Sequence, residues 1–197
     1  LRVHGNQLGA GPGVRLAVLG GGSRVEVSGA QEIELSVDHP RRWWPRGHGD
    51  QPMYDLEVLA EDGGERLVTR TGLRTVDLDT RKGAFTLHVN GKPIYCKGAN
   101  FIPPDMFLSR ATTPARYQSL LAAACDASMN TLRVWGGGLY ETDAFYDRCD
   151  ELGLLVLQDF LFACACYPEE EPHWSRVEAE ARAAVSRLAR HPSLVLY

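Results

Sequence analysis

Four residues in the second half of the chain have side chains suited to binding a ligand, and they are Asn100, Arg133, Trp135 and Asp159. Three of them, all but Arg133, follow short apolar segments that predict buried strands, and binding residues collect at the carboxyl ends of parallel strands. The carboxylate of Asp159 can accept charge-assisted hydrogen bonds, and the indole of Trp135 offers a flat apolar face. Arg133 lies within a strand and is expected to point along the interior of the fold, where an unpaired charge would be costly, so we expect it to pair with a carboxylate.

Each of the four residues also has a structural interpretation that the sequence leaves open. Trp135 can be a core or interface residue. Asp159 can cap a helix or a loop, and Asn100 can stabilise its own turn. The partner of Arg133 can be an active-site carboxylate or a member of a purely structural ion pair. The residue types therefore define a candidate site without naming its ligand.

The first part of the chain has the pattern of an antiparallel β structure. Between residues 14 and 78 apolar and polar residues alternate, for example at residues 33–37, as they do in half-buried strands. Further strands are expected at residues 53–59 and 66–71, on either side of the turn Asp62-Gly63-Gly64. Short strands at this spacing are typical of a β-sandwich, and their small number predicts an incomplete one.

From Phe85 onward the pattern changes to alternating strands and helices. Asn90-Gly91 is a strong hairpin signal, which predicts paired strands at residues 85–89 and 94–97. Continuous apolar strands are expected further along the chain, at residues 131–134, 154–157 and 194–196. This alternation predicts a parallel sheet covered by helices. Because a (β/α)8 barrel needs about eight such units, we expect about half of one.

Three helices are predicted from their capping residues. Thr113 and Pro114 are suited to begin the first helix. Gly153 is suited to end the second, over residues 143–152. The third helix should begin at Ser175, which forms a capping-box sequence with the glutamate three residues later.

The composition excludes several classes of protein. The chain has 197 residues, 44% of them hydrophobic, and a formal net charge of -4 with a pI near 5.9. It therefore lacks the charge pattern for binding nucleic acid or an anionic membrane, and no apolar run approaches the roughly 20 residues that cross a membrane. Five cysteines lie in or beside apolar segments. We expect them to be reduced core residues, which favours a reducing compartment and a cytoplasmic location.

The sequence predicts neither a metal site nor a cofactor. Gly136-Gly137-Gly138 follows a strand, but Glu141 occupies the position where a dinucleotide-binding fingerprint requires its last glycine. Cys164 and Cys166 have no second cysteine pair or histidine nearby, which makes them a poor zinc site.

Longer motifs of the chain resemble those of a known enzyme family. The segments that carry the resemblance are Trp43-Trp44-Pro45, Gln51-Pro52-Met53-Tyr54-Asp55-Leu56, Asn90-Gly91-Lys92-Pro93, Lys97-Gly98-Ala99-Asn100, residues 130–141, Gln158-Asp159-Phe160-Leu161-Phe162-Ala163-Cys164 and His191-Pro192-Ser193-Leu194. Together they resemble glycoside hydrolase family 2, and within it the β-mannosidase branch. The resemblance extends over residues 43–197.

This resemblance implies a domain organisation. Residues 1–78 would be the C-terminal part of an immunoglobulin-like β-sandwich. Residues 79–197 would be the first three to four βα units of a TIM-barrel catalytic domain. The fold class would thus be multi-domain, β followed by α/β, and we expect the chain to be part of a larger enzyme.

The resemblance also implies an activity, the hydrolysis of terminal β-linked sugars with retention. In such enzymes an acid/base and a nucleophilic carboxyl group lie about 5 to 5.5 Å apart. Both glutamates would fall after Tyr197, so we predict no catalytic residue within this chain and no activity of the chain alone. Trp135 would wall the subsite for the terminal sugar and Asp159 would bind a sugar hydroxyl group, with Asn100 and Arg133 beside them.

The implied substrate is a β-mannoside oligosaccharide or glycan, and other interpretations stay open. An exo-β-glucosaminidase or another family 2 glycosidase is one, although the stretch Arg133-Val134-Trp135-Gly136-Gly137-Gly138 favours a mannosidase. A non-catalytic carbohydrate-binding module is another, although such a module has no need of half a barrel. The third is an unrelated α/β enzyme. The sequence gives no oligomeric state.

Overall fold

The computed structural model describes residues 2–4, 14–20, 23–29, 32–34, 37, 39–60 and 66–197. The chain divides into two compact units. One comprises Leu1–Trp43 with Pro52–Leu73, and the other comprises Trp44–Gln51 with Arg74–Tyr197. No helix within the described ranges has the length and apolar character needed to cross a membrane.

The first unit is antiparallel, as its alternating sequence predicts. Its described strands are β1 (Arg2–His4), β2 (Val14–Gly20), β3 (Ser23–Gly29), β4 (Glu32–Glu34), β5 (Tyr54–Ala60) and β6 (Arg66–Thr71). Four of them form a sheet in the order β3-β2-β5-β6, and β1 pairs with β4. The strands predicted at residues 53–59 and 66–71 are confirmed as the antiparallel pair β5–β6. The predicted turn Asp62-Gly63-Gly64 and part of the strand at residues 33–37 lie outside the described residues.

Side-chain burial in β5 follows the period of a strand. Tyr54 and Leu56 are buried, whereas Asp55 between them is exposed. The hydroxyl oxygen of Tyr54 accepts a hydrogen bond of 2.8 Å from the backbone N–H of Arg41. Trp43 is fully buried, and its N–H donates to the carbonyl of Leu73 at 2.9 Å. These contacts anchor the segment that leads into β5.

The second unit begins with a small antiparallel sheet of β7 (Val76–Asp79), β8 (Thr86–Val89) and β9 (Lys92–Pro93). The predicted hairpin turn is confirmed, because Asn90 and Gly91 both have positive φ angles of 52° and 78°. The predicted second strand at residues 94–97 is wrong, since β9 ends at Pro93. The N–H of Ile94 still donates to the carbonyl of Leu87 at 2.8 Å, but the N–H of Lys97 donates to the side chain of Asn130 at 2.8 Å instead of to β8.

A four-stranded parallel sheet follows, with its strands in chain order. The strands are β10 (Gly98–Phe101), β11 (Thr131–Val134), β12 (Leu155–Gln158) and β13 (Leu194–Leu196). The predicted parallel sheet is confirmed, and β12 begins one residue later than predicted. A Cβ atom at Gly98 would lie 1.7 Å from the carbonyl oxygen of Thr131, so only glycine allows β10 to approach β11 here.

The helices are α1 (Leu108–Ala111), α2 (Pro114–Asp126), α3 (Asp143–Leu152) and α4 (His173–Leu188). The predicted caps of α2 and α3 are confirmed, because the Thr113 side chain accepts from the N–H of Arg116 and Gly153 adopts a left-handed conformation. The capping box at Ser175 is wrong, since α4 begins two residues earlier. The carboxylate of Glu171 instead accepts from the N–H and hydroxyl of Ser175, at 3.3 and 2.5 Å.

One face of the parallel sheet packs against the helices and carries the core of the second unit. Phe101, Val134 and Val156, one from each of the first three strands, belong to this core. They meet side chains from α2, α3 and α4, such as Tyr117 and Phe145, whose ring centroids are 5.5 Å apart. Because side chains alternate along a strand, the residues on either side of these three lie on the opposite face.

The expectation that all five cysteines are core residues is wrong for three of them. Cys125 and Cys149 are buried on α2 and α3, whereas Cys96, Cys164 and Cys166 are exposed. None of the five forms a disulfide. The exposed thiols follow apolar residues in the sequence but lie in loops, where the local pattern does not report burial.

Candidate functional site

The candidate site lies at the carboxyl ends of β10, β11 and β12, on the face opposite to the helices. Asn100 and Arg133 are register partners on neighbouring strands. Trp135 and Asp159 each follow directly after the end of a strand. Parallel strands bring these positions to one edge of the sheet, where α/β proteins bind ligands.

The structure brings three of the four predicted residues into one hydrogen-bonded cluster. The guanidinium group of Arg133 donates to both carboxylate oxygens of Asp159, at 3.0 and 2.5 Å. It also donates to the side-chain oxygen of Asn100 at 3.2 Å. The expected carboxylate partner of Arg133 is therefore Asp159, from the neighbouring strand.

The carboxylate of Asp159 is held by the backbone as well as by Arg133. The N–H of Gly136 donates to it at 3.1 Å. The main chain at Asp159 is fixed in turn by Gln158, whose side-chain amide donates to the Asp159 carbonyl at 2.9 Å and accepts from the Tyr146 hydroxyl at 2.5 Å. Sequence reasoning missed Gln158, because a polar residue at the end of an apolar strand gives no sign of which face it occupies.

The cluster is open to solvent. The side chain of Arg133 is 44% exposed and that of Asp159 is 26% exposed. One oxygen of Asp159 already accepts two hydrogen bonds, from Arg133 and Gly136, whereas the other accepts only one from Arg133 and can accept a second. The arrangement can therefore hold a ligand that both donates and accepts hydrogen bonds, such as one with neighbouring hydroxyl groups.

Trp135 lies beside this cluster at the start of the loop after β11. Its N–H donates to the carbonyl of Phe101 at 3.1 Å, which continues the ladder between β10 and β11. The half-buried indole covers Gly137, where a Cβ atom would lie 2.0 Å from the ring. The absence of a side chain at Gly137 therefore leaves room for the ring, and part of the indole stays accessible to solvent.

The other two glycines of this run have similar steric roles. A Cβ atom at Gly136 would lie 2.4 Å from the carbonyl oxygen of Phe160, in the loop after β12. A Cβ atom at Gly138 would lie 2.8 Å from the ring of Pro103, in the loop after β10. The three glycines therefore let three loops meet around Trp135. The sequence showed an unusual glycine run but not this reason for it.

The far end of the same loop is anchored by Glu141, which is almost completely buried. The Tyr117 hydroxyl donates to one of its carboxylate oxygens, and Arg187 donates to its backbone carbonyl at 2.9 Å. The other carboxylate oxygen has no hydrogen-bond partner among the described residues. Burial raises the pKa of Glu141, although the hydrogen bond from Tyr117 opposes this shift.

A second cluster of possible metal ligands consists of Asp147, Asp150 and His191. The His191 ring nitrogen Nδ1 lies 2.7 Å from one oxygen of Asp150, whose other oxygen accepts from the N–H of Ser193 at 3.0 Å. Asp147 accepts from the guanidinium of Arg190 at 2.9 Å. Because Nδ1 of His191 and the carboxylates of Asp147 and Asp150 already have partners and the guanidinium of Arg190 lies beside them, the cluster has the character of a structural network that joins α3 to the start of β13.

Comparison with known proteins identifies the relatives of this chain. No protein-family model matches it. The β-mannosidase of Bos taurus is 44% identical over 183 residues, which cover 86% of this chain and 21% of that protein. A crystal structure of the β-D-mannosidase from Dictyoglomus thermophilum superimposes with a TM-score of 0.82 at 39% identity, covering 93% of this chain and 24% of that one. The chain is a β-mannosidase-like member of glycoside hydrolase family 2.

This β-mannosidase-like chain spans about a fifth of the length of the relatives that it matches. Its sheets and helices fit a part of the family 2 fold. The exo-β-D-glucosaminidase CsxA is more distant, with a TM-score of 0.69 and 26% identity over 94% of this chain and 24% of that one. The recognition from sequence motifs is thus confirmed, whereas the roles of the four site residues stay predictions.

Proposed function

We propose that this chain is part of a retaining exo-β-glycosidase, a β-mannosidase that removes terminal β-D-mannose residues from the non-reducing ends of oligosaccharides or glycans. The observation that carries the proposal is the 44% identity to the bovine β-mannosidase over most of the chain. The lower identity of 26% to an exo-β-D-glucosaminidase makes that activity the second candidate.

The proposed architecture is that predicted from the sequence. Residues 1–78 are the C-terminal part of an immunoglobulin-like sandwich, and residues 79–197 are the first half of a (β/α)8 barrel. The parallel pairing from Gly98 onward supports a barrel in the later part of the chain, although the antiparallel strand β7 crosses the proposed boundary and the second compact unit resumes at Arg74. The strand order β10-β11-β12-β13 supports the barrel as well, because a barrel adds parallel strands consecutively with a helix after each.

In this proposal the hydrogen-bonded cluster holds the terminal sugar. Asp159 and Asn100 accept hydrogen bonds from sugar hydroxyl groups, and Arg133 keeps both side chains in place while donating to a sugar oxygen. The indole of Trp135 packs against the C–H face of the ring and excludes water. Exclusion of water strengthens the remaining polar contacts, since they then act in a medium of lower dielectric constant.

The acid/base and nucleophilic carboxyl groups of a retaining mechanism are proposed to lie outside these 197 residues. The carboxylates of Asp159 and Glu141, in the loops after β12 and β11, are both unsuited to the chemistry. Asp159 is engaged by Arg133 through both oxygens, which lowers its nucleophilicity. Glu141 is 1% exposed and cannot reach a substrate. The chain by itself is therefore expected to bind sugar weakly and to hydrolyse none.

The test is a comparison of aryl β-glycosides on the full-length protein. We expect kcat/KM to be highest for the β-mannoside and lower for the β-glucosaminide and β-galactoside, with the 197-residue chain inactive on all three. A preference for the glucosaminide would instead support the second candidate, and hydrolysis by the 197-residue chain would contradict the proposed location of the catalytic groups.

The compartment of the protein is proposed to be the cytoplasm. The support is that none of the five cysteines forms a disulfide and that three of them are exposed, where an oxidising compartment would act on them. Fractionation of the source cells with an antibody against the protein tests this proposal, and recovery of the protein in a secreted fraction would contradict it.

A further inference from the structure

A small cavity lies beside the loop after β12 and separate from the cluster around Arg133. Its volume is about 120 Å³, well below the roughly 300 Å³ of a pocket for a whole drug-sized ligand. Its walls come from that loop, from α4 and from the loop after β11. The lining includes Tyr140, Phe160, Phe162, Tyr167, His173 and Glu180.

Aromatic rings form most of the wall, and their positions are fixed by contacts with one another. Phe162 and Tyr167 meet edge to face with ring centroids 4.9 Å apart, and Tyr167 stacks on His173 at 6.3 Å. The Tyr167 hydroxyl oxygen accepts from the backbone N–H of Ala163 at 2.8 Å, which closes the loop on itself. Phe160 stacks on Tyr197 at 5.8 Å. The rings are therefore held in place without a ligand.

Two polar groups in the wall are suited to a cation that carries N–H groups. Glu180 interacts with the Tyr140 hydroxyl, and its negative charge contributes to raising the pKa of that hydroxyl after the larger effect of burial. Among the described residues no lysine or arginine pairs with Glu180. The Nε2 atom of His173 is buried and has no hydrogen-bond partner within the same part of the chain.

We propose that this cavity binds a primary ammonium group, as found on a small alkylamine or an amino sugar. Aromatic faces attract a cation through their quadrupoles, and the attraction grows when the cation leaves water. Glu180 neutralises the charge, and Nε2 of His173, in the tautomer protonated at Nδ1, accepts one N–H. A neutral group of the same size gains nothing from the negative charge of Glu180 and little from the quadrupoles of the rings, so the site discriminates against it. The volume admits the ammonium group and its first carbon, so the rest of an amino-sugar ring would lie outside the cavity.

The experiment is calorimetric titration of the full-length protein with methylammonium chloride at neutral pH, with potassium chloride as the ionic-strength control. We expect saturable binding with a Kd of about 1–20 mM, and a loss of about tenfold in affinity for Glu180→Gln. Phe162→Leu removes one ring and should weaken binding about threefold. The matched control is Glu178→Gln, because Glu178 lies on the same helix but pairs with Arg182 at 2.7 Å, and it should leave affinity unchanged.

Three results would overturn the proposal. The first is absence of saturable binding up to about 100 mM methylammonium. The second is an equal loss of affinity in the Glu178 and Glu180 variants, and the third is equal binding of methanol. Glucosamine and N-acetylglucosamine distinguish the sources of the group, since binding of the former alone assigns the site to amino sugars. Binding of methylammonium without glucosamine assigns it to alkylamines.

Discussion

Near the carboxyl ends of β10 and β11, the two faces of the parallel sheet carry different kinds of side chain. On the helix side, Phe101, Val134 and Val156 are buried in an apolar core. On the other side, one residue away along the chain, Asn100 and Arg133 are polar and exposed. At these positions one face contributes to the apolar core and the other exposes polar side chains to solvent, because alternation separates the two sets of side chains without a change of backbone.

The largest expected effect is on the helix side of the sheet. Phe145 is fully buried, and its ring lies 4.6 Å from Phe101 and 5.2 Å from Tyr146. Phe145→Ala should lower the free energy of unfolding by about 3–5 kcal/mol, since it leaves a cavity among packed rings. Denaturant unfolding followed by tryptophan fluorescence measures this. Asn100→Ala on the opposite face should lower the free energy of unfolding by less than about 1 kcal/mol. Equal losses in the two variants would contradict the conclusion that the helix side carries the stability of the unit.

The next effect concerns the cluster of Asn100, Arg133 and Asp159 on the face opposite to the helices. Asp159→Asn removes the charge that pairs with Arg133, so we expect kcat/KM of the full-length enzyme for an aryl β-mannoside to fall about 100-fold. The free energy of unfolding should change by less than about 1 kcal/mol, because the pair is partly exposed. Asp79→Asn is the matched control, since Asp79 forms a similar bidentate pair with Arg81 at the end of β7. A similar loss of activity in both variants would assign the Asp159 effect to general stability.

A smaller effect tests how the loop glycines position the aromatic ring. Gly137→Ala should displace the indole of Trp135 and raise KM for the mannoside about tenfold, with little change in kcat. In a Trp135→Ala background the same substitution should have almost no further effect, because its target is gone. Additive effects in that double variant would show that Gly137 acts independently of the indole.

The smallest effect is a change in the pH dependence of stability. The ordinary pKa of Glu141 is 4.5, and burial raises it in the folded protein. The folded state therefore holds a proton that the unfolded state loses, so this contribution to stability is full below 4.5 and is lost as the pH rises through the raised pKa. Glu141→Gln should flatten that decline in thermal unfolding across the acidic range. An unchanged slope would contradict the burial of a neutral carboxyl group.

Local sequence signals predicted several elements of the second unit to the residue. The strands at residues 131–134 and 194–196 and the helix at residues 143–152 agree with the structure at both ends. Their boundaries depend on periodicity and on a terminal glycine, which act within one or two turns of chain. The start of α4 was missed because Glu171, upstream of the expected cap, accepts the N–H and the hydroxyl of Ser175, whereas the capping box assigned that N–H to Glu178.

The candidate site was only partly predictable, because its contacts join residues that are distant in the chain. The sequence placed Asn100, Arg133, Trp135 and Asp159 near strand ends, and it predicted that Arg133 would need a carboxylate. It did not identify Asp159 as that carboxylate, because the two residues are 26 positions apart and meet only through the pairing of β11 with β12. The support from Gln158 was also missed, because a polar residue at the end of an apolar strand does not show which face of the sheet it occupies.

The sequence by itself determined the type and order of the elements, the family and the candidate residues, because periodicity, caps and motifs are carried by neighbouring residues. Only the tertiary structure decided which cysteines are buried, which carboxylate pairs with Arg133 and why three glycines follow the second parallel strand. Those outcomes depend on contacts between loops that are distant in the chain. Such contacts are made by close approach of backbone and side chains, as at Gly136, Gly137 and Gly138, and no local pattern records them.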